Sequence, residues 1–307
     1  MHTIGHKDIL QFFEKAITIG RLHHAYLFVG RSQLGKRTIA EYIAKQLFNA
    51  SEKSLVTNPD FFFLQRGVDE KTGKTKKHIS IEQVHELRHF LQGKPFFHKK
   101  KVAIINDAEL LNRSAMNALL KTLEEPRGDT TVFLIATDEL ALLETIRSRC
   151  QSIYFYPVST EIIDTFLQST GIDVNVTKAM ARHASGLPGR AIDWADDVEK
   201  YEWYLKERER FQGLFGQPLY KQTASVEDLF GKKEDHIETR TTLRDILDIW
   251  QLVIRDDYTQ YDSNFEVRYD IVSTYNAILE AKKGLLQNVH PRMLIEQVLL
   301  TISHYET

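Results

Sequence analysis

The apolar run Ala25–Val29 is closed by Gly30 and followed six residues later by Lys36, at the head of a helical stretch. No other feature constrains the fold of this 307-residue chain so strongly. A run without polar alternation is a strand buried on both faces, and such strands belong to parallel sheets covered by helices. The signal recurs at Asp60-Phe61-Phe62-Phe63-Leu64, Val102–Ile105 and Val132–Ala136. Helical periodicity fills the gaps. Ile9, Leu10, Phe13, Ala16 and Ile17 share one face before Gly20, and Lys36 to Phe48 continues as helix. Val84, Leu87 and Leu91 line one side of Ile81–Leu91, and Ser114–Glu125 is a helix stopped at Pro126. This alternation predicts an α/β domain built on a parallel sheet with flanking helices.

Beyond Pro157 the strand signals fade and helices dominate. Gly186-Leu187-Pro188-Gly189 punctuates the first helical section. Leu243, Ile246, Leu247, Trp250 and Ile254 form one apolar stripe, and Leu294, Ile295, Val298 and Ile302 another, behind Pro291. Residues 213–235 are mixed and read as a long connection. The expected layout is an α/β domain over 1–158, a small helical domain over 159–200 and a larger one over 201–307, whose stripes would supply oligomer contacts.

Composition narrows the function classes. Forty basic and 42 acidic side chains give a net charge of −2, which excludes a chain basic all over while leaving local basic patches open. A single cysteine, Cys150, excludes an internal disulfide framework and any four-cysteine metal module. No run approaches the ~20 apolar residues of a membrane span, and the first residues carry no signal-peptide pattern. The expectation is a soluble cytoplasmic chain without a membrane partner or bound metal.

Two stretches point to phosphate chemistry. Gly30-Arg31-Ser32-Gln33-Leu34-Gly35-Lys36-Arg37-Thr38 lies between a buried strand and a helix, the context a phosphate-binding loop requires. Gly30 and Gly35 let backbone N–H groups face a phosphate, and Lys36 would approach its outer oxygens. The motif calls for Ser or Thr directly after the lysine to ligate Mg²⁺. Arg37 stands there instead, and Thr38, one residue on, is about 100° further round the helix. The bland alternative is a glycine-punctuated turn. Downstream, Val102–Ile105 is followed by Asn106-Asp107, where a hydrolysing enzyme places Asp then Glu to hold Mg²⁺ and polarise water. Taken together they look like an ATPase site that has lost its metal ligands.

Asn117-Ala118-Leu119-Leu120-Lys121-Thr122-Leu123-Glu124-Glu125-Pro126 and Thr145-Ile146-Arg147-Ser148-Arg149-Cys150-Gln151 are not demanded by packing. With the loop and Asn106-Asp107 in this order, the chain resembles the bacterial clamp-loader subunits of the AAA+ class, densely from about His23 to Pro157. The resemblance implies an AAA+ domain, a helical lid and a helical collar. It implies a hetero-pentameric ring with motor and delta subunits, primer–template DNA as a partner, and the sliding clamp as an indirect one. Arg149 matches the arginine that such a subunit inserts into its neighbour's ATP site, where a planar cation stabilises developing charge. Thr137 resembles the polar sensor after the fourth strand, and Arg190 falls at the lid's nucleotide-sensing arginine. The ordinary readings are a loop arginine in a salt bridge, a strand-end threonine and a surface arginine.

The same resemblance implies a chain that requires no cofactor and does not hydrolyse ATP alone, ATP binding at the loop being left open. Members with a zinc module carry four cysteines after the loop helix; this chain has none there, so no zinc is expected. Asp69–His78 and His98-Lys99-Lys100-Lys101 are basic segments that suit either DNA phosphates or solvent. Two alternatives remain: the hydrolysing motor subunit, which would need Ser or Thr after Lys36 and an Asp-Glu pair, and an unrelated P-loop kinase, which leaves the two later stretches unexplained.

Overall fold

The computed structural model describes residues 3–48, 55–68, 73, 75–126, 129–230, 236–260, 269–287 and 289–303. The chain divides into two compact units, Met1–Ala195 and Asp196–Thr307.

In the first unit five parallel strands form one sheet in the order β2-β3-β4-β1-β5. They are β1 (Ala25–Val29), β2 (Phe61–Leu64), β3 (Lys101–Ile105), β4 (Thr130–Ala136) and β5 (Gln151–Tyr154). All residues of β1, β3 and β4 are buried, which explains their unbroken apolar runs. Alternate side chains serve opposite faces. Leu27, Ala103, Ile105, Val132 and Leu134 join a core with Val84, Leu87, Leu119 and Leu123 of α3 (Ile81–Gln92) and α4 (Arg113–Glu124). Tyr26, Phe28, Val102, Ile104 and Phe133 point the other way, onto Phe13 of α1 (Lys7–Thr18) and Ile39 and Ile43 of α2 (Lys36–Leu47). Polar groups set the helix starts: Asn112 Oδ1 accepts the Ala115 N–H at 2.8 Å, and Gln83 Oε1 accepts the Ser80 N–H at 3.2 Å.

β5 departs from the sequence expectation, which ended the strands at Ala136. It pairs Gln151–Tyr154 with Tyr26–Val29 at the sheet edge. An edge strand half open to solvent tolerates Gln151 and Ser152, so it carries no apolar run. Between β4 and β5 lies the short α5 (Glu144–Arg147), and Arg149 follows α5 rather than β4 directly. Three further helices complete the unit: α6 (Thr160–Gln168), α7 (Val174–His183) and α8 (Pro188–Asp196).

The second unit is helical: α9 (Val198–Gln212), α10 (Leu219–Ser225), α11 (His236–Gln260), α12 (Tyr269–Leu286) and α13 (Pro291–Ser303). The segment read as a long connection thus contains α10, and its residues 231–235 lie outside the described ones. Leu243, Ile246, Leu247, Trp250 and Ile254 are buried, as are Leu294, Ile295, Val298 and Ile302. Those stripes form the unit's own core, where Phe211 stacks on Trp250 at 4.9 Å, and are not free for oligomer contacts. Arg240 donates to Leu285 O (2.9 Å) and Val289 O (3.0 Å), satisfying carbonyls where α12 ends.

Candidate nucleotide-binding loop and arginine corner

Strand order places the expected residues together. The carboxyl ends of β3, β4 and β1 are neighbours, so Asn106-Asp107, Thr137 and the Gly30–Thr38 loop converge on one end of the sheet. Chain crossovers leave β1 and β4 in opposite directions here, and ligand crevices of open α/β sheets form at such switch points.

The loop is tightly walled. Gly30 adopts φ +151, and a Cβ there would meet Phe155 O at 2.6 Å. The αL conformation of Gly35 (φ +83) opens α2. Four non-glycine residues have positive φ among the described residues: His6, Gln33, Asp107 and Ser185. Such conformations persist only where surroundings impose them. His6 Nε2 lies 2.9 Å from Leu34 O, with its ring 4.9 Å from that of Phe155. Gln33 O accepts the Gly189 N–H at 2.9 Å, and Gln33 Nε2 donates to Asp193 Oδ2 at 3.3 Å. Asp107 starts a 3₁₀ turn over Ala108–Leu110. Ser185 precedes Gly186-Leu187, where Leu187 enters the core beside Leu34.

Lys36 turns back into its own loop. Its ammonium donates to Gly30 O and, at 2.7 Å, to Arg31 O. Only 6% of the residue is exposed, and burial lowers its pKa to about 8 against the opposing pull of Glu109 and Asp107. Arg37 faces elsewhere: Nε donates to Glu41 Oε1 at 2.7 Å, and the guanidinium stands 4.3 Å from the Phe63 ring centre. Thr38 is half-buried at the next position. The Asn106 amide N–H continues the β2–β3 ladder by donating to Leu64 O at 2.8 Å. Burial, then Glu109, raises the Asp107 pKa, with Arg66, Lys36 and Arg37 acting against them.

Sequence reasoning passed over Glu109. The turn after Asp107 carries it to Thr137, whose N–H donates to Glu109 Oε1 at 3.0 Å and whose hydroxyl donates to the same oxygen. The signal was its spacing, three residues beyond the strand-end asparagine. Arg190 lies with its guanidinium 5.9 Å from the Trp194 ring centre, on α8 beside the loop contact of Gly189. The loop amides remain suited to a phosphate, and a Cβ on Gly35 would meet nothing within 4 Å. The metal's donors do not fit: a guanidinium stands for the hydroxyl and an amide for the first carboxylate. Among the described residues no group of three or more His, Cys, Asp or Glu is placed to hold a metal ion.

Arg149 is at the opposite end of the sheet. Gln151 pairs with Tyr26, so the start of β5 lies beside the start of β1. The loop begins four residues further along β1, roughly 13 Å at 3.3 Å per residue. Arg149 Nη2 makes an ion pair with Glu124 Oε1 (3.0 Å), and Nη1 donates to Thr145 O (3.0 Å) and Ser148 Oγ (3.3 Å). Its side chain remains 35% exposed. Cys150 packs against the α3–α4 core, and burial pushes its thiol pKa up to about 12.

Of the basic segments, Asp69–Thr72 and Lys74 lie outside the described residues; Val68 bridges Thr75 at their base. The second segment is not uniformly solvated. Lys101 is buried in β3 and donates to Phe90 O at 2.8 Å. Just upstream, the fully buried Asp60 carboxylate accepts the N–H groups of Phe96 (2.6 Å), Phe97 (2.8 Å) and His98 (3.0 Å).

The sequence pattern of the family described as "DNA polymerase III, delta subunit" matches residues 5–159, half of the chain. The chain belongs to this family. Within it the chain is delta-prime-like, a DNA polymerase III clamp-loader-type subunit of the AAA+ class. It is 27% identical to DNA polymerase III subunit delta' of Bacillus subtilis, over 96% of this chain and 95% of that one. Identity to subunit delta' of Pseudomonas aeruginosa is 38%, over 41% of each chain. Subunit tau of Escherichia coli matches at 32% over 52% of this chain and 26% of its own length. Among solved structures, a DNA polymerase III gamma subunit-related protein from Thermotoga maritima has the same fold. It superimposes with a TM-score of 0.57 at 16% identity, covering 96% of this chain and 99% of that one. No helix among the described residues is long and apolar enough to cross a membrane.

Proposed function

We propose that this delta-prime-like subunit is a non-hydrolysing member of a clamp-loader ring that supplies Arg149 to the nucleotide site of an adjacent motor subunit. The observation that carries the reading is the placement of Arg149 at the opposite end of the β1–β5 pair from its own loop. A cation so placed serves a neighbour rather than its own pocket. The pocket itself has a phosphate cradle but lacks donors for Mg²⁺, so turnover by this chain is not expected. In the neighbour's site Arg149 would neutralise charge developing on the transferred phosphoryl group. Thr137 and Arg190 would be sensors around a cradle that acts as scaffold. The first 158 residues would be the ATPase-like domain, residues 159–200 the lid and the remaining helices the collar. Ring partners would be motor and delta subunits in a hetero-pentamer that loads the sliding clamp onto primer–template DNA during replication.

The test is DNA-stimulated ATPase and clamp loading by the complex reconstituted with Arg149→Ala, with the isolated wild-type chain as a control of negligible rate. An arginine supplied in trans is worth about 10³–10⁵ in rate at one site, so the ring, with several sites, should lose less. Arg149→Lys should restore only part, because an ammonium cannot make the planar two-pronged contact. Wild-type rates in a fully assembled Arg149→Ala complex would reject the role.

A further inference from the structure

An arginine side chain carries five N–H donors. Arg149 makes three contacts within its own subunit, hydrogen bonds from Nη1 to Thr145 O and Ser148 Oγ and an ion pair of Nη2 with Glu124 Oε1, leaving at least two donors, on Nε and Nη2, uncommitted. Two N–H groups are what a bidentate contact with a phosphate requires. The acceptors stand on packed elements. Glu124 ends α4, directly after Leu123, which is buried in the sheet core; Thr145 lies in α5 beside the buried Ile146. Glu124 itself is half-exposed.

An unrestrained arginine loses rotamer freedom when it is fixed. Here the guanidinium is already held by groups on α4 and α5. We propose that Glu124 is a positioning residue: it holds the Arg149 guanidinium in one plane, so that the two uncommitted donors meet a neighbour's phosphate without further ordering. This rests on the reading of Arg149 as a cation acting in trans. Glu124 touches no reacting atom; it acts through Arg149 alone.

The experiment is a double-mutant cycle in the reconstituted complex, reading kcat and KM for ATP in DNA-stimulated hydrolysis, with assembly checked by mass. Glu124→Ala should lower kcat about 3- to 10-fold, in line with couplings between contacting residues, and leave KM unchanged. Glu124→Gln keeps an acceptor oxygen and should recover most of the loss. The pair Glu124→Ala with Arg149→Ala should be no slower than Arg149→Ala alone. A wild-type kcat in Glu124→Ala beside a slow Arg149→Ala overturns the positioning role and leaves the trans role standing. A faster Glu124→Ala overturns it in favour of a restraint on the arginine, and a double variant slower than Arg149→Ala shows Glu124 acting elsewhere. If Arg149→Ala itself runs at the wild-type rate, the trans role falls first.

Discussion

Lys36 and Arg149 are both cations suited to phosphate, and they sit at opposite ends of the β1–β5 pair. Lys36 is buried, its pKa lowered to about 8 by that burial, and satisfied by the carbonyls of its own loop. Arg149 is one-third exposed and keeps donors in reserve. Around Lys36 the backbone is forced into αL at Gln33 and Asp107, and the walls come from His6 and Gly189. Around Arg149 the chain follows an ordinary helix end. On the proposed function, the difference makes the pocket a piece of architecture and leaves the chemistry to the far corner. Substitutions at the pocket should therefore register in stability, and those at the corner in the activity of the assembled ring.

The largest effect on stability is expected at Gly30. In Gly30→Ala the new methyl would meet Phe155 O at 2.6 Å on a backbone at φ +151. Strained φ and overpacking each cost about 1–3 kcal/mol, so a loss of roughly 2–6 kcal/mol should appear in chemical denaturation. A smaller loss would show that the wall around the loop is soft, and would weaken the contrast.

Lys36→Met should act in the other direction. Folding lowers the lysine pKa to about 8, so between there and its ordinary value the unfolded chain holds the extra proton and stability climbs with pH. Below about 8 both states are charged, and the full burial cost is present. Removing the charge should raise stability at pH 7 by roughly 1–3 kcal/mol, part of the gain being offset by the carbonyls left without a donor. The advantage should shrink as pH rises toward 10. Melting curves across that range check both the sign and the slope.

Arg149→Ala should be the quietest of the three. An exposed ion pair is typically worth ~0–1 kcal/mol, and truncation of a partly exposed arginine removes little packing. Denaturation midpoints of the isolated variant and wild type should nearly coincide. A large loss would make Arg149 a structural residue and erase the division between pocket and corner.

Much of this was legible in the sequence because burial on two faces leaves so plain a record. β1 and the later residues of β3 and β4 read as continuous apolar runs because helices cover both faces of the sheet, while buried Lys101, Thr130 and Thr131 stand at the strand starts. β5 left no such record, because Gln151 and Ser152 can face solvent at the edge. The apolar stripes of α11 and α13 were visible, but a stripe does not say whether its own unit or another chain covers it. The loop, Asn106-Asp107 and Arg149 were readable as motifs. The back-folded Lys36 ammonium, the Glu109–Thr137 contact and the Glu124–Arg149 pair were not, since each joins residues through side-chain geometry that spacing alone does not encode.

Asp60 has a consequence of another kind. Its buried carboxylate gathers three successive amides, and the loop it holds lifts Phe96 and Phe97 into solvent at 72% and 78% exposure. Fixing a residue's backbone costs about 1–2 kcal/mol of conformational entropy. For these residues that loss falls at the folding step, where the sheet core offsets it. Two large apolar rings are thereby displayed on a backbone already tied at three amides, so a surface meeting them would have less of that backbone to order.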